Sequence, residues 1–161
     1  MSKKKKRRQS KALVVDADVA RSSSPPHSSH PVGAATRQFL MDVLDICHRA
    51  VMTPEIAAEW KKHASTFARK WRVQMEARKK IVRLQPTQHI ADRIEILESP
   101  EKSVNAMMKD VHLIEAALAA DGIVVSMDDT ARGLFEEASE SVSEIKKVAW
   151  LNPKDSKASD I

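Results

Sequence analysis

Short apolar runs alternate with longer amphipathic segments along most of the chain. The runs lie within "ALVV", "RAVMT", "IVVSM" and "KVAWL", and the stretches between them repeat apolar residues every three or four positions. Apolar runs of this length between helical segments are typical of parallel strands that are buried on both faces. The pattern therefore predicts an α/β protein.

The predicted order of elements is β-α-β-α-α-α-β-α-β. Helices are expected over "ATRQFLMDVLDIC", over one or two segments within residues 55–80, over "TQHIADRIEILES" and "SVNAMMKDVHLIEAALAA", and from about Thr130 to Val142. Thr53 and Pro54 can cap and begin the second helical region, and Gly122 can end the helix before "IVVSM". The segment "IVRL" is either a last helical turn or a short edge strand. This order predicts a three-layer α/β/α sandwich around a four- to five-stranded parallel sheet.

Charge is distributed unevenly along the chain. Residues 1–11 hold seven Lys/Arg and no acid, residues 61–83 hold nine bases and one acid, and the rest from residue 12 onward sums to −10. An acidic body with two basic segments suits a polyanion held beside an acidic cleft, although a solubilising tail and a solvated helix face would look the same. We predict a disordered basic arm at 1–11, a folded domain at 12–152 and a polar C-terminal tail at 153–161.

The composition also bears on the cellular compartment. The single cysteine, Cys47, has apolar helical spacing and is predicted to be a small core residue in a reducing compartment. No apolar run approaches the roughly 20 residues that span a bilayer, and no apolar stretch of signal-peptide length follows the basic start. We therefore expect a cytoplasmic protein without a membrane partner.

Acidic residues follow the first and the third of the apolar runs. Asp16 directly follows "ALVV", and Asp18 lies two residues further on. Asp128 and Asp129 directly follow "IVVSM". The carboxyl ends of parallel strands line the crevice where open sheets bind ligands, and carboxylates gathered there repel one another unless a cation or protons compensate. A divalent metal is the simplest compensation. This predicts a metal-dependent enzyme that acts on phosphate esters.

These acids differ in rank as candidates. Asp16 ends a buried strand and is the leading one, whereas Asp18 is of second rank and points the same way if the chain stays extended. One of Asp128 and Asp129 can cap the helix that follows. We favour Asp128 as the ligand, with Asp129 as the cap or as a supporting residue.

Two further acids lie in helical segments. Asp110 falls on the apolar stripe of its own helix, where a carboxylate is not expected, and this argues for a functional role. Glu59 lies near the packed face of its helix, whereas Glu55 is explained by the helix dipole and is of second rank. His112 falls on a more polar face and is interpreted as a surface residue.

The residues quoted above, taken together, resemble the PIN-domain ribonucleases, which include the toxins of bacterial toxin–antitoxin pairs. The resembling pieces are "LVVDADV", "VMTPEIAAEW", "KDVHLIEAALAADGIVVSMDD" and "VAWLN", within about residues 12–152. The family places acids after the first strand, six residues beyond a Ser/Thr that ends the second, at the start of a helix and at the end of the next strand. The matching residues are Asp16, Glu59 (with Thr53 as its reference), Asp110 and Asp128. Asp18 departs from the pattern, because a small polar residue usually stands there.

The resemblance implies an endoribonuclease that uses one or two Mg²⁺ or Mn²⁺ ions held by Asp16, Asp110, Asp128 and Asp129. Its partner would be RNA, contacted through backbone phosphates, and a cognate antitoxin protein and a homodimer both stay open. Backbone phosphates would be neutralised by basic residues of the long helical region, namely Lys61, Lys62, Arg69, Lys70 and Arg72.

Two other functions remain as alternatives. "LVVDADV" also matches the opening motif of haloacid-dehalogenase-like phosphatases, in which Asp16 would be the nucleophile and Asp18 the general acid, with Lys109 as the required lysine. A non-catalytic PIN-like module that binds RNA or protein would explain the basic segments equally well.

Overall fold

The fold is built on a five-stranded parallel sheet. The computed structural model describes residues 10–25, 30–87 and 89–161, so the predicted arm at 1–9 lies outside the described residues. Within them the strands are β1 (Ala12–Val15), β2 (Arg49–Met52), β3 (Ile81–Arg83), β4 (Ile123–Val125) and β5 (Ala149–Leu151), in the spatial order β3-β2-β1-β4-β5. Every pairing is parallel. The segment "IVRL" contributes the edge strand β3.

Helices cover both faces of the sheet, as the three-layer prediction requires. The described part of the chain has seven α-helices: α1 (Ala17–Ser22), α2 (Pro31–Ile46), α3 (Pro54–His63), α4 (Thr66–Ala77), α5 (Ile90–Glu95), α6 (Glu101–Leu118) and α7 (Asp129–Ala138). None of these helices combines the length and the apolarity needed to cross a bilayer. The α/β/α sandwich is thus confirmed.

Several helix boundaries differ from the prediction. Residues 55–80 form two helices, which was one of the two predicted alternatives, because Ser65 caps a new helix and accepts a hydrogen bond from the backbone N–H of Ala68 at 3.1 Å. Helix α1 was not predicted, and α7 ends at Ala138 rather than Val142. Helix α6 begins at Glu101, directly after Pro100, so it extends well before Asp110.

Two tryptophans join the α3–α4 pair to the rest of the core. Trp60 and Trp71 are almost fully buried, and their rings stack with centroids 5.7 Å apart. The indole N–H of Trp60 donates to the carbonyl of Val15 at 2.9 Å, and that of Trp71 donates to the carbonyl of Leu40 at 2.6 Å. Both indoles therefore serve packing, and neither offers a face to a nucleic-acid base.

Two residues with left-handed backbone conformations end helices. Gly122, at φ 73°, donates from its N–H to the carbonyl of Ala117 at 2.8 Å, and an added Cβ would lie 2.8 Å from the carbonyl oxygen of Lys147. Glycine is required there, as the sequence predicted. Cys47, at φ 68°, ends α2 and is exposed. The prediction that Cys47 is a core residue is therefore wrong: its apolar spacing continues one residue past the helix.

The C-terminal segment packs against the body of the domain. A short 3₁₀ helix covers Ala158–Asp160, with Ala158 fully buried and contacts to α2. The segment 153–161, which composition alone describes as a polar tail, therefore belongs to the folded domain.

Candidate active site

The predicted site residues lie at the carboxyl edge of the sheet. Hydrogen bonding continues one residue beyond the strands there: Asp16 N–H donates to Val125 O at 2.9 Å, Ser126 N–H to Leu151 O at 2.9 Å and Leu84 N–H to Met52 O at 3.1 Å. Across this edge the chain therefore presents Leu84, Thr53, Asp16, Ser126 and Asn152 in the order of the strands they follow. Ligands bind at this edge in open parallel sheets.

Asp16 and Asp18 share one hydroxyl partner at the centre of this edge. Ser126 is buried, and its Oγ lies 2.9 Å from Oδ2 of Asp16 and 3.3 Å from Oδ2 of Asp18. The same Oγ accepts from the N–H of Asp128 at 3.1 Å, and the N–H of Met127 donates to Oδ2 of Asp18 at 3.1 Å. One serine thus connects three acidic residues from two distant parts of the chain.

The route by which Asp18 reaches Ser126 differs from the expectation. The chain does not stay extended after β1, because α1 begins at Ala17 and places Asp18 in its first turn. Asp16 occupies the N-cap position of α1, but its side chain makes no capping hydrogen bond within the described structure. The Asp16 carboxylate therefore remains available at the edge of the sheet.

Asp128 and Asp129 divide the capping of α7 and the support of its first turn between them. Asp128 is the N-cap of α7, and its Oδ1 accepts from the N–H of Ala131 at 2.9 Å. Asp129 lies in the first turn, where its Oδ1 accepts from Nδ2 of Asn152 at 3.2 Å. The expectation that Asp129 is the cap is wrong. Capping through Oδ1 leaves the second oxygen of Asp128 free for a ligand.

Asp110 lies where the other acids act on it electrostatically. Burial, together with the charges of Asp16, Asp128 and Glu59, raises its pKa to about 6, while exposed Lys109 opposes this rise. These acids come from β1, α3, α6 and the turn before α7. Asp110 stands in the middle of α6, not at the start of a helix as the family pattern has it.

The pair Asp16 and Asp18 is also held in an environment that disfavours charge. Burial raises the pKa of Asp16, and the hydrogen bond from Ser126 opposes that rise. Burial and the neighbouring charge of Asp16 raise the pKa of Asp18 to about 7. Oδ1 of Asp18 is buried and has no hydrogen-bond partner in the described part of the chain. A carboxylate oxygen in this state lacks the compensation that a donor or a cation would supply.

The glutamates and the threonine of the second strand lie at the rim. Thr53 is buried, and its Oγ1 caps α3 by accepting from the N–H of Ile56 at 3.2 Å, as predicted. Glu59 is about half exposed, with Oε2 3.5 Å from Nε2 of His63, and Glu55 is exposed on the same flank of α3. Glu59 is thus not on the packed face, but its charge still reaches Asp110.

His112 is part of this neighbourhood and was not identified from sequence. Its side chain is half-buried, and its Nδ1 has no hydrogen-bond partner among the described residues. Burial lowers its pKa, whereas the charges of Asp16, Glu55 and Glu59 raise it. The interpretation of His112 as an ordinary surface residue is therefore wrong. We refer below to Asp16, Asp18, Asp110, Asp128 and Ser126 as the acid cluster.

The acid cluster matches a divalent cation in charge and in donor chemistry. It offers hard oxygen donors, its carboxylates raise one another's pKa, and an oxygen of Asp18 is buried without a partner. In the described residues, however, no three Asp, Glu, His or Cys side chains are grouped closely enough to hold one ion. Mg²⁺ keeps several waters and needs one or two direct carboxylates, so the arrangement fits a hydrated ion rather than a closed protein cage.

A basic groove lies on the other flank of α3. It has a volume of about 590 Å³ and is lined by Lys61, Arg69 and Arg72 over a floor of Ala57, Ala58 and Ala64. Lys62 and Lys70, predicted to contact the same ligand, are exposed but do not line it. The five predicted basic residues thus divide into three at the groove and two on the outer surface.

Comparison of the chain with protein-family models finds no match, and comparison with curated proteins finds none either. Function is therefore inferred from the geometry of the site.

Proposed function

We propose that the protein is a metal-dependent ribonuclease of the PIN-like kind. The observation that carries the proposal is the gathering of Asp16, Asp18 and Asp128 around the Ser126 hydroxyl, close enough for the charges of Asp16 and Asp128 to act on Asp110. These residues lie far apart in the sequence, and a structural role alone gives no reason to gather uncompensated carboxylates at the ligand-binding edge of a sheet. Clusters of this kind are typical of functional sites.

The acid cluster would hold a hydrated Mg²⁺ or Mn²⁺, with one or two of Asp16, Asp110 and Asp128 as direct ligands and the others contacting its water shell. A bound ion would lower the pKa of a coordinated water and neutralise charge on the phosphodiester. Ser126 fixes the orientation of the Asp16 and Asp18 carboxylates by hydrogen bonding. Asp129 acts indirectly, because its bond to Asn152 anchors the turn that carries Asp128.

RNA would be held by its backbone, not by its bases. Lys61, Arg69 and Arg72 line a groove whose floor is alanine, and phosphate contacts of this type position a nucleic acid without reading its sequence. Glu59 would support the site as an acid at its rim. A cognate antitoxin protein is proposed as a second partner.

The test is cleavage of single-stranded RNA by the purified chain with Mg²⁺, with Mn²⁺ and with EDTA. We expect cleavage only with metal, and none by Asp16→Asn or Asp110→Asn. Asp45→Asn, which changes an exposed acid near the end of α2, just before the amino end of β2, is the matched control and should cleave normally. Full activity of Asp110→Asn would contradict the proposal, and RNA binding without cleavage under any metal would favour the non-catalytic module.

The phosphatase is the second candidate, and one observation favours it. A pKa of about 7 for Asp18 would keep part of that carboxyl protonated near neutral pH, as a general acid needs. Against it, Lys109 is exposed and acts on Asp110, and Thr53 Oγ1 is buried in its helix cap. A phosphorylated Asp16 trapped as a beryllofluoride adduct would favour the phosphatase over the nuclease.

A further inference from the structure

The basic groove continues toward the carboxyl edge of the sheet through a second lobe. This lobe has a volume of about 410 Å³ and lies at the ends of β2 and β3, where Thr53, Arg83 and Gln85 line it. Ala57 and Arg72 border both lobes, so the two adjoin. Arg83 and Gln85 were not among the predicted basic-site residues. From here on, the basic groove means both lobes.

The basic groove is lined mainly by cations that have no acidic partner. The side chains of Lys61, Arg69 and Arg72 form no ion pair or hydrogen bond with any described residue, whereas Arg83 is paired with Glu76. Three unpaired cations, one from α3 and two from α4, are matched by a ligand with several negative charges. This charge complementarity favours a polyanion backbone as the occupant.

The floor of the basic groove excludes recognition by stacking. Its one aromatic residue, Trp60, is 1% exposed and uses its indole N–H on the carbonyl of Val15. Proteins that grip single strands by their bases present exposed aromatic faces, and the described groove residues present none. The groove can therefore bind phosphates but cannot stack bases.

The groove lies on one side of the acid cluster only. The second lobe lies at the ends of β3 and β2, while Asp16 follows β1, the next strand along the same edge. Two strand spacings amount to roughly 10 Å. A nucleic-acid strand lying over Asp16 can therefore reach Arg83 and Arg72 on one side only, by crossing the first turn of α3.

We propose that the basic groove holds the sugar–phosphate backbone of single-stranded RNA on one side of the bond that is cleaved. The inference rests on the proposed ribonuclease function and adds a polarity to it. A single flexible strand can follow the bend from the sheet edge into the gap between α3 and α4.

The first experiment measures binding without catalysis. Fluorescence anisotropy of a short labelled single-stranded RNA is followed against the full-length protein in EDTA, over a range of salt concentrations. We expect Arg69→Ala/Arg72→Ala to lose about tenfold in affinity at low salt. The slope of log K against log salt should become shallower by about 1.4, since each lost phosphate contact on a single strand contributes about 0.7.

The charge-matched control is Arg78→Ala/Lys102→Ala, which removes two exposed cations that line neither lobe. It should change affinity less than twofold. An equal loss in both double variants would overturn the proposal, because the contribution would then be net charge alone. Because Arg72 is half-buried, Arg72→Gln with an unchanged thermal melting curve serves as the milder replacement. Displacement of the RNA by polyglutamate at equal charge concentration would overturn the RNA assignment in favour of an acidic protein.

The second experiment tests polarity. RNAs shortened from the 5′ end or from the 3′ end are cleaved in Mn²⁺, and KM is measured for each. We expect shortening from one end to raise KM about tenfold and shortening from the other end to have little effect, and Arg69→Ala/Arg72→Ala should abolish that difference. Equal effects from both ends would overturn the polarity. Groove-dependent binding without any cleavage would refute the ribonuclease proposal alone, since binding is measured without metal.

Discussion

The acid cluster and the basic groove lie on opposite flanks of α3, but they are built in different ways. The acid cluster draws on residues as far apart as Asp16 and Asp128, and its side chains are largely buried at the edge of the sheet. The groove is formed within residues 52–85, mostly by one helix pair, and its cations point into solvent. The acid cluster brings together like charges that repel one another, whereas the groove exposes cations that are available to an anionic ligand.

This difference predicts different responses to substitution. Removing a charge from the acid cluster should relieve repulsion, so the fold gains stability while chemistry is lost. Removing a charge from the groove should leave the fold unchanged and weaken binding in steps.

Asp110→Asn should give the largest effect. We expect RNA cleavage to fall by a factor of about 10² to 10³, because the substitution removes a carboxylate that would hold the metal ion. The melting temperature should rise by a few degrees, since burial and the charges of Asp16 and Asp128 already disfavour the ionised form. Cleavage assays and thermal melts on the same preparation check both. A fall in stability with the loss of activity would show that Asp110 supports the fold instead.

Stability of the metal-free protein should depend on pH because Asp18 has a raised pKa. Its pKa is about 7 in the folded state and 3.8 otherwise, so the unfolded chain releases its proton first and stability falls as pH rises from about 4 to 7. The expected loss is on the order of 2–4 kcal/mol. Asp110, with a pKa of about 6, adds a smaller loss between about pH 4 and 6.

Denaturant unfolding in EDTA at pH 5 and at pH 8 measures that loss. Asp18→Asn should flatten the profile, and Mn²⁺ should stabilise the natural chain more at pH 8 than at pH 5 because it competes with protons. A pH-independent free energy of unfolding would contradict the assigned environment of Asp18.

Ser126→Ala should cost about 1–3 kcal/mol of stability, because it leaves buried carboxylates without their hydroxyl donor and the N–H of Asp128 without its acceptor. Cleavage should fall as Asp16 loses its orientation. Ser139→Ala is the matched control, since Ser139 is also buried but donates only to the nearby carbonyl of Glu136. Equal losses in activity from the two variants would show that Ser126 has no specific role in the site.

Lys62→Ala and Lys70→Ala should have the smallest effect. Both side chains are exposed outside the basic groove, so we expect RNA affinity to change less than twofold. Anisotropy titrations under the conditions used for Arg69 and Arg72 measure the difference. A loss as large as that of the arginine variant would extend the binding surface beyond the groove.

Much of the fold could be predicted from the sequence because buried parallel strands appear as short apolar runs. Runs such as "ALVV" and "IVVSM" identified the central strands, and Asp110 was recognised because a charge on an apolar stripe is visible from spacing alone. Helix α1 was missed, because six residues ending in a serine run show no helical period. The edge strand β3 stayed ambiguous because it is short and only half-buried.

The parts of the site that could not be predicted depend on contacts between distant segments. Nothing in "VVSMDD" shows that the Ser126 hydroxyl lies between Asp16 and Asp18, and serine is common at strand ends. His112 was assigned to a polar face, and its partial burial near the charges of Asp16, Glu55 and Glu59 is not visible in the spacing of its own helix. Arg83 and Gln85 became part of a groove only when β3 was placed beside β2.

The stacked indoles of Trp60 and Trp71 give the molecule an optical probe at its centre. One indole is bonded to Val15, directly before Asp16, and its ring lies behind the groove that Arg72 borders. The third tryptophan, Trp150, is on β5 and stacks on Phe135 at the far side of the sheet. Replacing Trp150 with phenylalanine would leave emission from the central pair alone, so that loading of ion and of RNA can be followed separately in unlabelled protein.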